Sequence, residues 1–108
     1  MKEKDLIWNK HAKIFVQKLN TQTKKEIGTL LRVLQLRTSL GEPQSKPIKT
    51  IHKKAFELRI KDKSGIYRVI YILIDKNTIF IPHAYTKKTA KTPKHEISIA
   101  KKRTREFK

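Results

Sequence analysis

The chain has 108 residues, 37% of them hydrophobic, a length that argues for a single domain over residues 1–108 with one core and against wholesale disorder. Its 27 Lys+Arg against 9 Asp+Glu give a formal net charge of +18, a field that draws polyanions, nucleic acid before anionic membrane. Cysteine is absent, which excludes disulfides, thiolate zinc sites and a Cys nucleophile; the longest apolar run is Val69 to Ile74, and Met1 is followed by Lys-Glu-Lys-Asp, so neither a membrane span nor a signal peptide is expected and the expected location is the cytoplasm.

From Trp8 onward Ala12, Phe15, Val16 and Leu19 recur at helical spacing until Asn20-Thr21 interrupts them, which predicts a short first helix. Thr23-Lys24-Lys25-Glu26 reads as a capping box opening a second helix. Its Ile27, Leu30, Leu31 and Leu34 form one apolar stripe before Gly41 stops it. The two helices are expected to form a hairpin. Gly41 to Pro47 reads as a polar, turn-rich loop, after which the apolar period changes from 3.6 to 2.

Phe56, Leu58 and Ile60 alternate with Glu57, Arg59 and Lys61, the pattern of a strand with one buried and one wet face. Lys63-Ser64-Gly65 turns the chain into Ile66–Ile74, apolar on both sides except for Arg68, as expected of a central strand. A further strand spans Thr78–Tyr85. Pro82 cannot donate a ladder hydrogen bond and predicts an edge or a bulge there. Thr92, as N-cap before Pro93, opens a last helix to about Arg103. This order implies an α+β fold, with helices on one face of a small antiparallel sheet and the other face left for a ligand. Glu57, Arg59 and Lys61 share one side of their strand, and His83 and Tyr85 share one side of theirs; register decides whether the sides coincide. Positive charge gathers at the end of the chain, where residues 83–108 hold nine Lys/Arg against two Glu.

The stretch from Lys53 to Lys102, with FELRIKDKSGIYRVIY followed by IFIPHAYTKKTAKTPKHEISIAKK, resembles the RelE/HigB toxin superfamily of bacterial type II toxin–antitoxin systems, nearest to its phage-related HigB-like branch. The resemblance rests on Glu57-Leu58-Arg59, then Tyr67-Arg68, then His83-Ala84-Tyr85 with Lys87-Lys88 and the KTPKHEISIA helix. It covers about half the chain. Leu6–Trp8 stands where the family has a first strand, Pro82 beside the histidine departs from its pattern, and Tyr85 replaces what is often phenylalanine. The resemblance implies a RelE-like fold: an antiparallel sheet with an N-terminal helical hairpin on one face and a short C-terminal helix. It also implies a ribosome-dependent endoribonuclease that cuts messenger RNA, inhibits translation and is neutralised by a cognate antitoxin, HigA-like or RelB-like.

Such cleavage removes the 2′-OH proton, stabilises charge on the pentavalent phosphate and protonates the leaving 5′-oxygen. The carboxylates and the four histidines are scattered without metal-ligand spacing, so no metal and no cofactor are expected. Arg68 resembles the family's phosphate-binding arginine; the alternative is a buried Arg paired with Glu57 or Asp75. Arg59 resembles a second phosphate contact, or is a solvated charge. Glu57 is a base or, as favoured here, the partner that orients an arginine. His83 is an acid/base group or satisfies a backbone carbonyl, and Tyr85 stacks, assists proton transfer or packs. Lys88 joins Arg68, His83 and Tyr85 as the catalytic set, and Lys61, Lys87 and Lys91 join Arg59 as RNA-phosphate contacts. Lys101 and Arg103 read as general ribosomal RNA contacts or solvated charge. Two other readings stay open: a basic RNA-binding module without catalysis, and a protein-interaction subunit of a repressor complex. The chain shows no helix-turn-helix.

Overall fold

In the computed structural model, residues 3–36, 41, 44–88 and 92–107 are described. They form β1 (Asp5–Trp8), α1 (Lys10–Gln17), α2 (Thr21–Leu36), β2 (Ser45–Pro47), β3 (Ala55–Asp62), β4 (Gly65–Asp75), β5 (Thr78–Thr86) and α3 (Lys94–Phe107). The strands make one sheet in the order β1-β5-β4-β3-β2. It is mixed rather than antiparallel throughout, because β1 lies parallel to β5, with Leu6 beside Ile79 and Trp8 beside Ile81. After β1 the chain crosses one face as the helical hairpin and re-enters the sheet at its far edge, so three antiparallel steps bring β5 back alongside β1 in the same direction.

Asn9 caps α1, its side-chain oxygen accepting from the amides of His11 and Ala12. Asn20 caps α2 in the same way and accepts from the amide of Thr23 at 2.9 Å, so the helix begins before the expected capping box. Thr23 is buried instead. Its hydroxyl bonds to Asp62, which also holds Ser64, and this ties the start of α2 to the β3–β4 turn. Helix α2 ends at Leu36; the expected stop at Gly41 lies beyond residues outside the described range. Ala12, Val16, Ile27, Leu31 and Leu34 pack on Leu58, Ile60, Val69, Tyr71, Ile79 and Ile81. Each large aliphatic side chain buried here contributes about 1.5–3 kcal/mol, which makes this layer the main source of stability.

The segment expected to be loop contains β2. Ser45 faces the core, where its hydroxyl meets that of buried Tyr71, and Pro47 is accommodated because β2 is an edge strand. Three residues are too few for a visible alternation.

The irregularity predicted at Pro82 is a bulge. Ile70 pairs with His83 while Ile72 pairs with Phe80, so two steps on β4 face three on β5. Before the bulge Ile79 and Ile81 point at the helical hairpin; after it Ala84 does, and His83 and Tyr85 turn to the opposite face. Pro82 fits because a bulge residue needs no ladder donor.

Helix α3 packs on that opposite face, which is therefore not left wholly open. Ile97 and Ala100 pack with Ala55, Ile70, Ile72 and Tyr85, and Phe107 stacks on Phe80 with ring centroids 4.0 Å apart. Phe107 lies beyond the expected helix end near Arg103; the apolar stripe continues one more turn than the pattern of caps suggested.

Candidate functional site

Pairing across β3, β4 and β5 gathers the polar residues of the face that α3 only partly covers. Arg59 stands opposite Arg68, and Arg68 stands opposite Tyr85. Glu57, one alternation back on β3, is 3% exposed and is the hub. Its Oε1 accepts from Nε of Arg68 at 3.2 Å; its Oε2 accepts from the Tyr85 hydroxyl at 2.8 Å and from Oγ1 of Thr92 at 3.0 Å. Arg68 is 6% exposed, and its Nη1 also donates to the carbonyl of Tyr67. Of the two partners weighed for Arg68, Glu57 is the one it has. Thr92, expected as a helix cap, gives its hydroxyl to Glu57, and the carbonyl of Pro93 accepts the first helical bonds.

Two arginines directly opposite on one face repel each other, a cross-strand arrangement that destabilises a sheet unless something offsets it. The buried Glu57 carboxylate offsets part of it for Arg68. Lys87 adds to the positive charge: its amide bonds to the carbonyl of Ile66 at the end of β5. Burial, and then Arg68, Arg59 and Lys46, push its ammonium below the usual lysine range against the pull of Glu57. Four cations, Lys46, Arg59, Arg68 and Lys87, thus surround one buried carboxylate. A cleft of about 390 Å³ adjoins them, with Glu26, Gln44, Arg59, Lys61, Ile66 and Arg68 among its lining residues. Lys88 is exposed just beyond β5, and Lys91 lies outside the described residues.

His83 belongs to a second cluster. Its Nε2 lies 2.6 Å from Oε1 of Glu96, and its Nδ1 lies 3.2 Å from Nη1 of Arg103, which also donates to the carbonyl of Pro82 at 3.1 Å. That geometry fits a neutral imidazole whose Nε2–H donates to Glu96 and whose Nδ1 accepts from Arg103. Burial pushes the histidine below its usual range, and Glu96 opposes this only in part. The ring stacks on Tyr85 at 5.5 Å, the one link between the clusters among these side-chain contacts. Burial, reinforced by the hydrogen bond to Glu57, pushes the Tyr85 phenol well above its usual value, so it is a proton donor to that carboxylate. Arg103, expected as a solvated or RNA-facing charge, turns inward to His83.

Sequence reasoning missed Lys46, Thr92, Glu96 and Arg103 as members of these clusters. Lys46 had no signal because its strand is three residues long. The other three sit on or beside a helix whose docking face depended on the bulge. Among the described residues no group of three or more His, Cys, Asp or Glu side chains is placed to hold a metal ion, and no helix is long and apolar enough to cross a membrane.

A family model described as phage derived protein Gp49-like matches residues 15–105. Among solved structures, the fold is similar to that of an E. coli RelE toxin mutant in the free state, with 21% identity, 95% of this chain and 98% of that chain covered, and a TM-score of 0.67. The isolated E. coli RelE toxin is also similar, with 20% identity, 80% and 86% covered, and a TM-score of 0.55. No curated protein sequence matches.

Proposed function

Since the chain belongs to the Gp49-like family of phage-derived proteins and has the fold of the RelE toxin, we propose that it is the toxin of a type II toxin–antitoxin pair, a metal-independent endoribonuclease that cuts messenger RNA on the ribosome. The observation that carries this reading is the cross-strand pair Arg59 and Arg68, kept beside Lys46 and Lys87 by a buried carboxylate. A fold gains nothing from concentrating like charge there, whereas a polyanion with a reacting phosphate does. Arg68 holds the scissile phosphate and neutralises the charge that builds on it. Arg59, Lys61, Lys87 and Lys91 hold flanking phosphates. Glu57 orients Arg68 and Tyr85 and is not the base. Tyr85 and Lys88 stand as proton carriers, while His83, with both ring nitrogens engaged, positions Tyr85 by stacking. The ribosome supplies the alignment of the RNA for in-line attack.

The partner in this reading is an acidic antitoxin segment, HigA-like or RelB-like, that covers the cationic face or keeps it from the ribosome. The test is to induce the chain in bacterial cells and map messenger RNA 5′-ends with and without Arg68→Ala, repeating the assay on purified ribosomes and on naked RNA. New ends on ribosome-bound transcripts that vanish with Arg68→Ala are the expected result; efficient cutting of naked RNA counts against ribosome dependence. One observation favours a second reading, a basic RNA-binding module without cleavage: the acid/base groups His83 and Tyr85 are both engaged internally. Tight ribosome binding with no new ends would establish it.

A further inference from the structure

Of the four cations around Glu57, Lys46 is carried by the weakest element, a three-residue strand at the sheet edge whose last residue is proline. Lys46 stands directly opposite Glu57, and backbone bonds flank it: the amide of Arg59 donates to the carbonyl of Gln44 at 2.8 Å, and the amide of Ile48 to the carbonyl of Ala55 at 2.9 Å. Residues 44, 46 and 48 therefore hold the ladder, and Pro47 between them turns its nitrogen away from β3. A slip of β2 by one residue would bring Pro47 to a ladder position that needs an N–H, so the proline excludes it. A slip by two meets no such obstacle. It keeps the ladder pattern, the faces and the tolerated proline, yet it puts Gln44 or Ile48 opposite Glu57 and carries Lys46 roughly 7 Å along the edge.

The choice between those registers is made on the other face. Ser45, opposite Leu58, is 3% exposed, and its hydroxyl bonds to that of Tyr71. Tyr71, 1% exposed, belongs to β4. It pairs with Phe56, stacks on that ring at 5.4 Å, and reaches across β3 so that its hydroxyl meets β2. Among the described residues this is the one hydrogen bond of either hydroxyl. In either two-residue slip the place opposite Leu58 passes to Pro43 or Pro47, which carry no hydroxyl, and the phenol is left buried without a partner. We propose that Ser45 and Tyr71 are positioning residues of the cationic face: their buried hydroxyl pair holds β2 in the one register that sets Lys46 beside Glu57 and Lys87. Resting on the reading of that face as an RNA-binding one, this adds to it two core residues that touch no RNA.

Tyr71→Phe keeps the ring and its stack and removes only the oxygen, so the native register loses its advantage over the slipped ones. Ser45→Ala does the same from the strand edge, without touching the central strand, and Ser45→Thr keeps the hydroxyl. Register is read by NMR. Ser45 and Leu58 form a pair without ladder bonds, with Cα atoms about 4.5 Å apart, so their Hα protons give a strong cross-peak in the wild type. That cross-peak should weaken in Tyr71→Phe and Ser45→Ala, with one from Leu58 to Pro43 or Pro47 replacing it, and Ser45→Thr should keep the wild-type pattern. Function is read as the salt dependence of binding to purified ribosomes. Loss of one phosphate contact flattens the log–log slope by about 0.7, and Tyr71→Phe should approach the flattening caused by Lys46→Ala, with little further change when the two are combined. The KM for ribosomes should rise several fold while the single-turnover rate at saturation is kept, since Arg68 and Tyr85 stay in place. A hydroxyl pair that served stability alone would lower the unfolding temperature without moving the slope. Unchanged register in both variants, or additive effects of Tyr71→Phe and Lys46→Ala on the slope, overturns the positioning role and leaves the RNA reading standing. Wild-type binding that ignores salt overturns the RNA reading and the role of Lys46 with it.

Discussion

Two carboxylates organise the face of the sheet opposite the helical hairpin, and their surroundings make them different devices. Glu57 collects Arg68, Tyr85 and Thr92, with Arg59, Lys46 and Lys87 around it; one negative charge is outnumbered, and positive charge faces the cleft. Glu96 collects His83 and, at 3.3 Å, His95, with Arg103 closing the other side of the His83 ring against the Pro82 carbonyl. The second cluster consumes its own hydrogen-bonding capacity beneath α3. Similar residue types therefore produce a cationic surface in one place and a staple between helix and sheet in the other, and the difference is how many cations surround the carboxylate.

The largest effect is expected at the first hub. Glu57→Ala leaves the Arg68 guanidinium buried without its countercharge and should cost about 3–5 kcal/mol in denaturant unfolding, together with loss of cleavage. A cost under about 1 kcal/mol would mean that water reaches Arg68 and that the cluster is not a buried one. Arg68→Ala should lower single-turnover cleavage on ribosomes by about 10² or more, the usual consequence of removing one preorganised electrostatic group. It also strands Glu57 and so destabilises the fold. Arg68→Lys keeps the charge without the fork, and a folded Arg68→Lys variant with full activity would sink the assignment.

At the staple, stability should respond more than chemistry. His83→Gln should cost about 1–3 kcal/mol at pH 7.5, because Glu96 and Arg103 lose a buried partner, with a smaller loss of cleavage than Arg68→Ala. The pH dependence has a definite sign. Folding holds His83 below its usual 6.5, so between the two values the unfolded chain binds more protons. The stability contribution is complete above 6.5 and declines as the pH falls from there through the lower folded value, and the wild-type minus His83→Gln difference should show that decline. A hundredfold loss of cleavage with unchanged stability would instead move His83 into the chemistry. The smallest effects are electrostatic: Lys46→Ala should weaken RNA binding across sequences and flatten the log–log salt dependence by about 0.7, one phosphate contact, whereas Lys101→Ala, exposed on α3, should leave cleavage unchanged.

Part of the first cluster was legible in the sequence. Arg68 on an otherwise apolar strand stood out, with an ion pair to Glu57 as one of its readings, whereas Glu57, expected with Arg59 on a wet face, is buried. The second cluster was not legible. His83 looked like an available acid/base group because its partners, Glu96 and Arg103, come from a helix whose docking face no local pattern revealed.

The sequence by itself determined the α+β class, the helical hairpin, the three long strands, the cationic surface and the irregularity at Pro82. All are short-range consequences: periods of 3.6 and 2, side-chain caps, a missing amide proton and a sum of charges. Only the tertiary structure decided that β1 runs parallel to β5, that Ser45–Pro47 is a strand, that α3 covers part of the second face, and that Arg68 pairs with Glu57 rather than Asp75. The bulge decided most. An alternating strand reads the same in any register, and one extra residue exchanges its faces, so the placement of Tyr85 beside Glu57 and of His83 beneath α3 depended on where β5 slips against β4.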